Sequence, residues 1–247
     1  MGLSAVVIAC DEEKNIGPCL SSLAFADEIV VVDSGSSDRT IERARAFTDK
    51  VYRRDFDNFS AQKNFAVGKT SFDWVLSVDA DERVTPALAG EIRETVSDSP
   101  AFAAYAVKRR TALFGKTFGF SGLQDDKPVR LFKKEAARFE RPVHEVLKVD
   151  GPTGLLKNTL EHASFQSFRD YMRRLQLYTT LDGERNGSPE RRFRFFLRPF
   201  YRFLSLYVGK QGFRDGREGF FYGVLSAYYE FIRLAKRWEA RRSAENR

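Results

Sequence analysis

The sequence predicts an α/β fold, a mostly parallel, mixed sheet flanked by helices, followed by a helical C-terminal extension. Three observations carry this expectation. Apolar runs at 4–10, 28–33 and 74–79 read as strands buried on both faces, the habit of parallel sheets. Segments of helical spacing alternate with those runs, the pattern of strand–helix–strand units. Beyond residue 164 strand-like patterns give way to helical ones, so an α/β domain over 1–164 and a helical extension over 165–247 are expected.

The first strand, 4–10, precedes a helix over 15–23 whose Ile16, Leu20 and Leu23 share a face. Strand 28–33 runs into Asp33-Ser34-Gly35-Ser36-Ser37-Asp38, a turn that opens a helix over 40–47 with Asp38 or Thr40 as its cap. A short strand at Val51-Tyr52 and a helix over 60–67 come next. Strand 74–79 leads into the turn Asp79-Ala80-Asp81. Thr85 then caps a helix with Pro86 at its first position and Leu88, Ile92 and Val96 along one face. After residue 103 strands follow at 104–109 and 129–133 around a Gly- and Asp-rich loop, which predicts a later antiparallel region.

A chain of 247 residues, 43% hydrophobic, can bury a sizeable core, enough for one enzyme domain with an addition. Cys10 and Cys19 lack metal-type spacing, and with no signal-peptide pattern they point to a reducing, cytoplasmic setting. No run of about 18 apolar residues exists, so no bilayer-spanning segment is expected. Neither an internal repeat nor a low-complexity tract is visible. Charge is uneven: residues 165–247 hold 18 Lys and Arg against 9 Asp and Glu, whereas 1–164 hold 23 against 25. The net +7 therefore belongs to the C-terminal third.

Two strand ends carry the chemistry. Asp79 and Asp81, two residues apart where the chain turns, can converge on one divalent cation; hard oxygen ligands suit Mg²⁺ or Mn²⁺. Asp-x-Asp is equally a common surface turn. Ligands of open α/β sheets bind beyond the carboxyl ends of strands, which puts Asp33 where it can accept from a base or ribose and Gly35 where backbone can approach a ligand. The plainer alternative is that Asp33 and Asp38 only cap and turn.

Taken in order, the segments Val7-Ile8-Ala9-Cys10-Asp11-Glu12-Glu13-Lys14-Asn15-Ile16, Val31-Val32-Asp33-Ser34-Gly35-Ser36-Ser37-Asp38-Arg39-Thr40, Gln62-Lys63-Asn64-Phe65-Ala66 and Asp79-Ala80-Asp81-Glu82 resemble a family 2 glycosyltransferase. More narrowly, the chain is similar to the branch that adds glucose to the inner core of bacterial lipopolysaccharide. Arg130-Leu131-Phe132-Lys133, Val143-His144-Glu145, Leu160-Glu161-His162 and Gly212-Phe213-Arg214-Asp215-Gly216 would be its later elements. The resemblance implies a GT-A (Rossmann-like) fold, a UDP-linked sugar donor and inversion at the anomeric carbon. It places Glu12 beside the nucleotide, Asp33 on the uracil or ribose, and Lys63 and Asn64 near the base or diphosphate. Asp81 becomes the main metal ligand, with Asp79 on the ribose or assisting the metal.

Glycosyl transfer needs a carboxylate to take the acceptor's proton. Glu145, which follows the second strand group beside a histidine, is the first candidate for that base and Asp126 its rival; the family's Glu-Asp pair is missing here. Of the two histidines, His144 and His162, the latter is the candidate to complete the metal shell; either could instead be structural. Arg130 is read both as a binder of acceptor or donor phosphate and as a strand residue pointing to solvent.

The C-terminal third interleaves arginine with aromatics. Residues 191–204 read as a segment lying in a membrane interface, 220–234 as an apolar helix packed on the catalytic domain, and 235–242 as its basic extension. A flexible connector is expected over 184–189. The expected protein is a metal-dependent inverting glycosyltransferase, moving glucose from UDP-glucose to a lipid-linked glycan at the inner face of the bacterial cytoplasmic membrane. Alternatives are a polyprenyl-phosphate glycosyltransferase and a non-catalytic membrane or nucleic-acid-binding protein, although no nucleic-acid motif is visible and no nucleic-acid partner is expected.

Overall fold

The computed structural model describes residues 2–98, 101–141, 145–165, 167–183 and 192–245. The chain forms two compact units, Met1–Arg110 with Asp126–Ala163, and Thr111–Asp125 with Ser164–Arg247. The connector expected over 184–189 and His144 lie outside the described residues.

In the first unit β1 (Leu3–Ala9), α1 (Glu13–Ser22), β2 (Glu28–Asp33), α2 (Thr40–Arg45), β3 (Val51–Arg53), α3 (Phe59–Gly68) and β4 (Trp74–Asp79) follow one another. Strands β3, β2, β1 and β4 are parallel neighbours in that order, as their apolar runs predict. Successive residues of β1 face opposite sides: Leu3 and Val7 pack with Ile16, Leu20 and Ile92, while Val6 packs with Ala66, Val67 and Phe139. Both faces are thus core, which is why these strands show no polar alternation. Caps follow the local chemistry. Asn58 accepts from Ala61 N at the start of α3, and Thr85 from Leu88 N at the start of α4 (Pro86–Ser97).

A short strand, β5 (Glu82–Val84), leaves the Asp79-Ala80-Asp81 turn before α4. Next come β6 (Ala104–Leu113), β7 (Lys116–Thr117), β8 (Val129–Lys133), β9 (Ala137–Glu140), β10 (Val146–Val149) and β11 (Thr153–Ala163). Strand β8 joins β4 antiparallel, β6 joins β8, and β11 carries β5, so the sheet is mixed on that side. Strands β9 and β10 form a separate hairpin-like pair. The three strands beyond 133, β9, β10 and β11, have no counterpart in the sequence reading.

The second unit contains α5 (Phe168–Gly183), α6 (Arg192–Leu204) and α7 (Gly216–Glu245). Tyr171, Leu175 and Leu225 form its small core, and Tyr171 Oη donates to Leu225 O at 2.8 Å. Helices α6 and α7 are antiparallel: Phe203 and Tyr207 meet Phe220, while Arg198 lies by Glu230 a helix-length away. The reversal between them uses Gln211 at φ 55° and Gly216 at φ 72°. Buried Asp215 in this reversal accepts from Gly119 N at 2.9 Å, Phe120 N at 3.2 Å and Ser121 Oγ at 2.8 Å. The helix expected at 220–234 is present: Leu225 and Leu234 on it are buried, whereas Phe221, Val224, Tyr228 and Phe231 are exposed.

Candidate active site

The loops after β1 and β2 are tied together by their own polar side chains. Asp11, in the left-handed region at φ 53°, accepts from Ser37 N at 2.8 Å, and its own N donates to Ser36 Oγ at 2.9 Å. Glu12 N donates to Thr40 Oγ1 at 2.8 Å, and Glu13 N to Asp38 Oδ2 at 3.0 Å. Asp33, at the carboxyl end of β2, is buried and accepts from Gly35 N at 2.8 Å and Ser36 N at 2.9 Å; the Ser36 hydroxyl donates to it as well. Asp33 thus shapes the turn, and Gly35 serves that turn through its φ of 95°. The Glu12 carboxylate accepts from Asn15 Nδ2 at 2.7 Å.

A second cluster sits at the end of β4. Asp79 Oδ1 is 2.8 Å from Lys63 Nζ, and Asp79 Oδ2 is 2.5 Å from Arg130 Nη2. Lys63 Nζ is also 2.7 Å from Glu145 Oε1 and faces the Phe139 ring. Arg130 Nη2 reaches Glu82 Oε1 at 2.5 Å, and Arg109 Nη1 reaches the same oxygen at 3.0 Å. Arg109 in turn holds Asp126 through Nε at 2.7 Å. Glu145, Lys63, Asp79, Arg130, Glu82, Arg109 and Asp126 therefore form one continuous chain of alternating charge. The other oxygen of Glu82 accepts from Asp79 N at 3.0 Å, which fixes the start of the Asp-Ala-Asp turn.

Burial opposes the charge on Asp79, yet the Arg130 and Lys63 cations outweigh it and hold that carboxyl well below the usual range. The same balance acts on the cations. Burial disfavours charged Lys63 and Arg130, but Asp79, with Glu145 for Lys63 and Glu82 for Arg130, raises both above their ordinary values. Arg109 is raised likewise, by Glu82 and Asp126 against its burial. Asp79, Lys63, Arg130 and Arg109 are each held toward their charged forms by these partners.

Asp81 and His162 form a third group. Both are buried or nearly so, with His162 Nε2 3.6 Å from Asp81 Oδ1. Pairing of β11 with β5 places His162 opposite Glu82, and Asp81 O accepts from Ala163 N at 2.9 Å.

Several expectations change on this geometry. Both Asp79 oxygens face cations, Lys63 and Arg130. Among the described residues no three His, Cys, Asp or Glu side chains converge on one point. A carboxylate and an imidazole do fit a hard divalent cation whose remaining positions go to phosphate and water, so Asp81 and His162 suit that role. Arg130 does not point to solvent; it is buried, and its Nε is a buried donor with no partner among the described residues. The Asn64 amide donates to Phe139 O at 2.8 Å and accepts from Phe139 N at 3.0 Å, pinning β9 to α3. Of the two base candidates, Glu145 is held by Lys63 and Asp126 by Arg109.

Sequence reasoning missed Glu82 and Arg109 as site residues. Glu82 is fully buried, and its place directly after Asp81 was the available signal. Arg109 carried no local signal.

The chain matches the model of Glycosyl transferase family 2 over residues 4–142. It is 30% identical over 246 residues to "Lipopolysaccharide core biosynthesis glycosyltransferase LpsC" of Rhizobium meliloti (strain 1021), covering 95% of this chain and 91% of that protein. An uncharacterized glycosyltransferase of Rickettsia typhi (strain ATCC VR-144 / Wilmington) is 27% identical over 95% of this chain and 86% of its own length. Among solved structures, S. aureus TarS (residues 1–349) superposes with a TM-score of 0.51 at 16% identity, over 100% of this chain and 92% of that one. The sheet order and that superposition make the fold GT-A. With the family match spanning more than half the chain and the Rhizobium relative nearly all of it, this protein belongs to glycosyl transferase family 2 and is a glycosyltransferase.

Proposed function

We propose that this enzyme transfers glucose from UDP-glucose, with inversion, to a sugar hydroxyl of a lipid-linked glycan such as the lipopolysaccharide inner core. One observation carries the reading. At the carboxyl ends of β2 and β4 lie a turn shaped by Asp33, the buried Arg130 guanidinium between Asp79 and Glu82, and the Asp81–His162 pair. That is the inventory a nucleoside diphosphate needs. The similarity to a relative named for lipopolysaccharide core biosynthesis supports the acceptor class.

Asp33 and Glu12 would orient the nucleoside, and Arg130 and Lys63 the diphosphate. Asp81 and His162 would hold Mg²⁺ or Mn²⁺, which when bound supplies Lewis-acid stabilisation of the leaving diphosphate. Glu145 would accept the acceptor hydroxyl's proton as the new bond to the anomeric carbon forms. The bond from that carbon to the phosphate oxygen breaks on the opposite face, and its electron pair leaves with UDP. Lys63 would hold Glu145 in position, and Glu82 would hold Arg130 and the Asp79 backbone in place.

The test is thermal stability of the purified protein with UDP, GDP, CMP or dTDP, with and without Mn²⁺, followed by a UDP-sugar transfer assay. A Mn²⁺-dependent rise with UDP that is lost in Asp81→Ala supports the reading, since a ligand binding only the folded state raises stability by mass action. A rise confined to another nucleotide overturns the donor.

A further inference from the structure

The second unit exposes far more apolar surface than its fold requires. On α6 and its continuation, Leu197, Phe200, Tyr201, Leu204 and Val208 are exposed, Tyr201 at 72%. On α7, Phe221, Val224, Tyr228, Phe231 and Trp238 are exposed at alternating spacings of three, four and seven, one stripe of a helix. The two stripes are bridged. Phe220 makes edge contacts with Phe203 at 5.8 Å and Tyr207 at 5.6 Å, and exposed Phe213 extends the group from Tyr207 at 6.3 Å. Contiguous exposed apolar patches of this kind mark a binding surface.

We propose that this two-helix face docks the enzyme on an anionic lipid bilayer. Three features select that occupant. The face is rich in Phe, Tyr and Trp, which suit the membrane–water interface, whereas a helical seam between protein copies favours Leu, Ile and Val in a narrower stripe. Exposed arginines border it. Arg217 stands four residues before Phe221 and Arg242 four after Trp238, over whose ring its guanidinium lies, and Arg202 follows Tyr201. They complement the charge of residues 165–247, which hold 18 Lys and Arg against 9 Asp and Glu, and match anionic head groups. Finally, no described helix is long and apolar enough to cross a membrane, so the 30-residue α7 would lie in the plane of the interface. Such a face deepens the lipid-linked acceptor reading, on which it rests for its purpose but not for its geometry. It also extends the expectation for 191–204 to α7, where packing had been expected.

The experiment is flotation of the full chain with vesicles of phosphatidylglycerol and phosphatidylethanolamine, against vesicles of phosphatidylcholine alone. Two double variants are compared, Tyr201→Ser with Phe221→Ser, and Arg202→Glu with Arg217→Glu. Far-UV circular dichroism and the UDP–Mn²⁺ thermal shift report folding and donor binding separately. The expected result is salt-sensitive flotation with the anionic vesicles, weakened about tenfold or more in either variant. Absence of flotation, or equal flotation of wild type and both variants, overturns it. So does a dimer in light scattering that the Tyr201/Phe221 variant dissolves without any vesicle binding. Flotation lost in both variants while wild type shows no UDP shift supports the docking face and sinks the donor reading alone.

Discussion

Lys63 Nζ stands 2.7 Å from Glu145 Oε1, joining helix α3 to the segment before β10 across 82 residues of sequence. Both groups are largely buried, and the same ammonium holds Asp79. Replacing Lys63 with Met would leave Glu145 and one oxygen of Asp79 facing an apolar group that donates no hydrogen bond. We expect a loss of about 3–5 kcal/mol in stability, the usual cost of removing one partner of a buried pair, measured by urea unfolding. Lys63→Arg should recover part of it.

The two base candidates separate cleanly in kinetics. Glu145→Gln should lower kcat about 10²–10⁴-fold while the UDP thermal shift persists, because only the proton acceptor is removed. Asp126→Asn instead loosens Arg109 and should act mainly on stability. If Asp126→Asn abolishes turnover and Glu145→Gln does not, the assignment is reversed.

Metal use should track Asp81 and His162 rather than Asp79. Asp81→Asn and His162→Ala should each raise the Mn²⁺ concentration needed for half-maximal activity, by about tenfold or more. Asp79→Asn should leave that concentration nearly unchanged and lower stability, since its partners are Lys63 and Arg130. An equal Mn²⁺ shift for Asp79→Asn would return it to the metal.

Acid stability has a separate origin at the amino end of β2. Glu28 is buried, and although burial opposes its charge, hydrogen bonds from Lys50, Ser4 and Ser71 pull its pKa from 4.5 down to about 2. A carboxyl lower in the folded state stabilises above its unfolded pKa and loses that stability as pH falls through the folded one. The contribution, about 2–3 kcal/mol, should vanish between pH 4.5 and 2. Glu28→Gln should flatten that part of the acid-unfolding curve and lower stability at pH 7.

The parallel strands and their helices were legible because each signal is local: an apolar run, a capping Thr85 before Pro86, a turn after Asp33. The Asp79–Asp81 turn was found for the same reason. What a turn's carboxylates face was not legible. Glu82 meets Arg109 and Arg130 from 27 and 48 residues away, and only the sheet order β4-β8-β6 brings them together. Strand β11 escaped notice because just Leu156 and Leu160 of its 11 residues are fully buried, so it lacks an apolar run. Nor is the Asn64 partner legible, because the Phe139 backbone it meets lies 75 residues away.

The turn between α6 and α7 has a consequence for how this sequence can drift. A Cβ on Gly219 would lie 1.9 Å from Gly212 O, and one on Gly212 would lie 2.8 Å from Leu206 O. Gly216 needs its positive φ. These three positions tolerate no side chain, whereas Phe200, Val224 or Phe231 can exchange with any large apolar group. Substitutions in the C-terminal third should therefore accumulate along the greasy stripes and stop abruptly at the hairpin bend, leaving a small rigid hinge of backbone inside a freely varying surface.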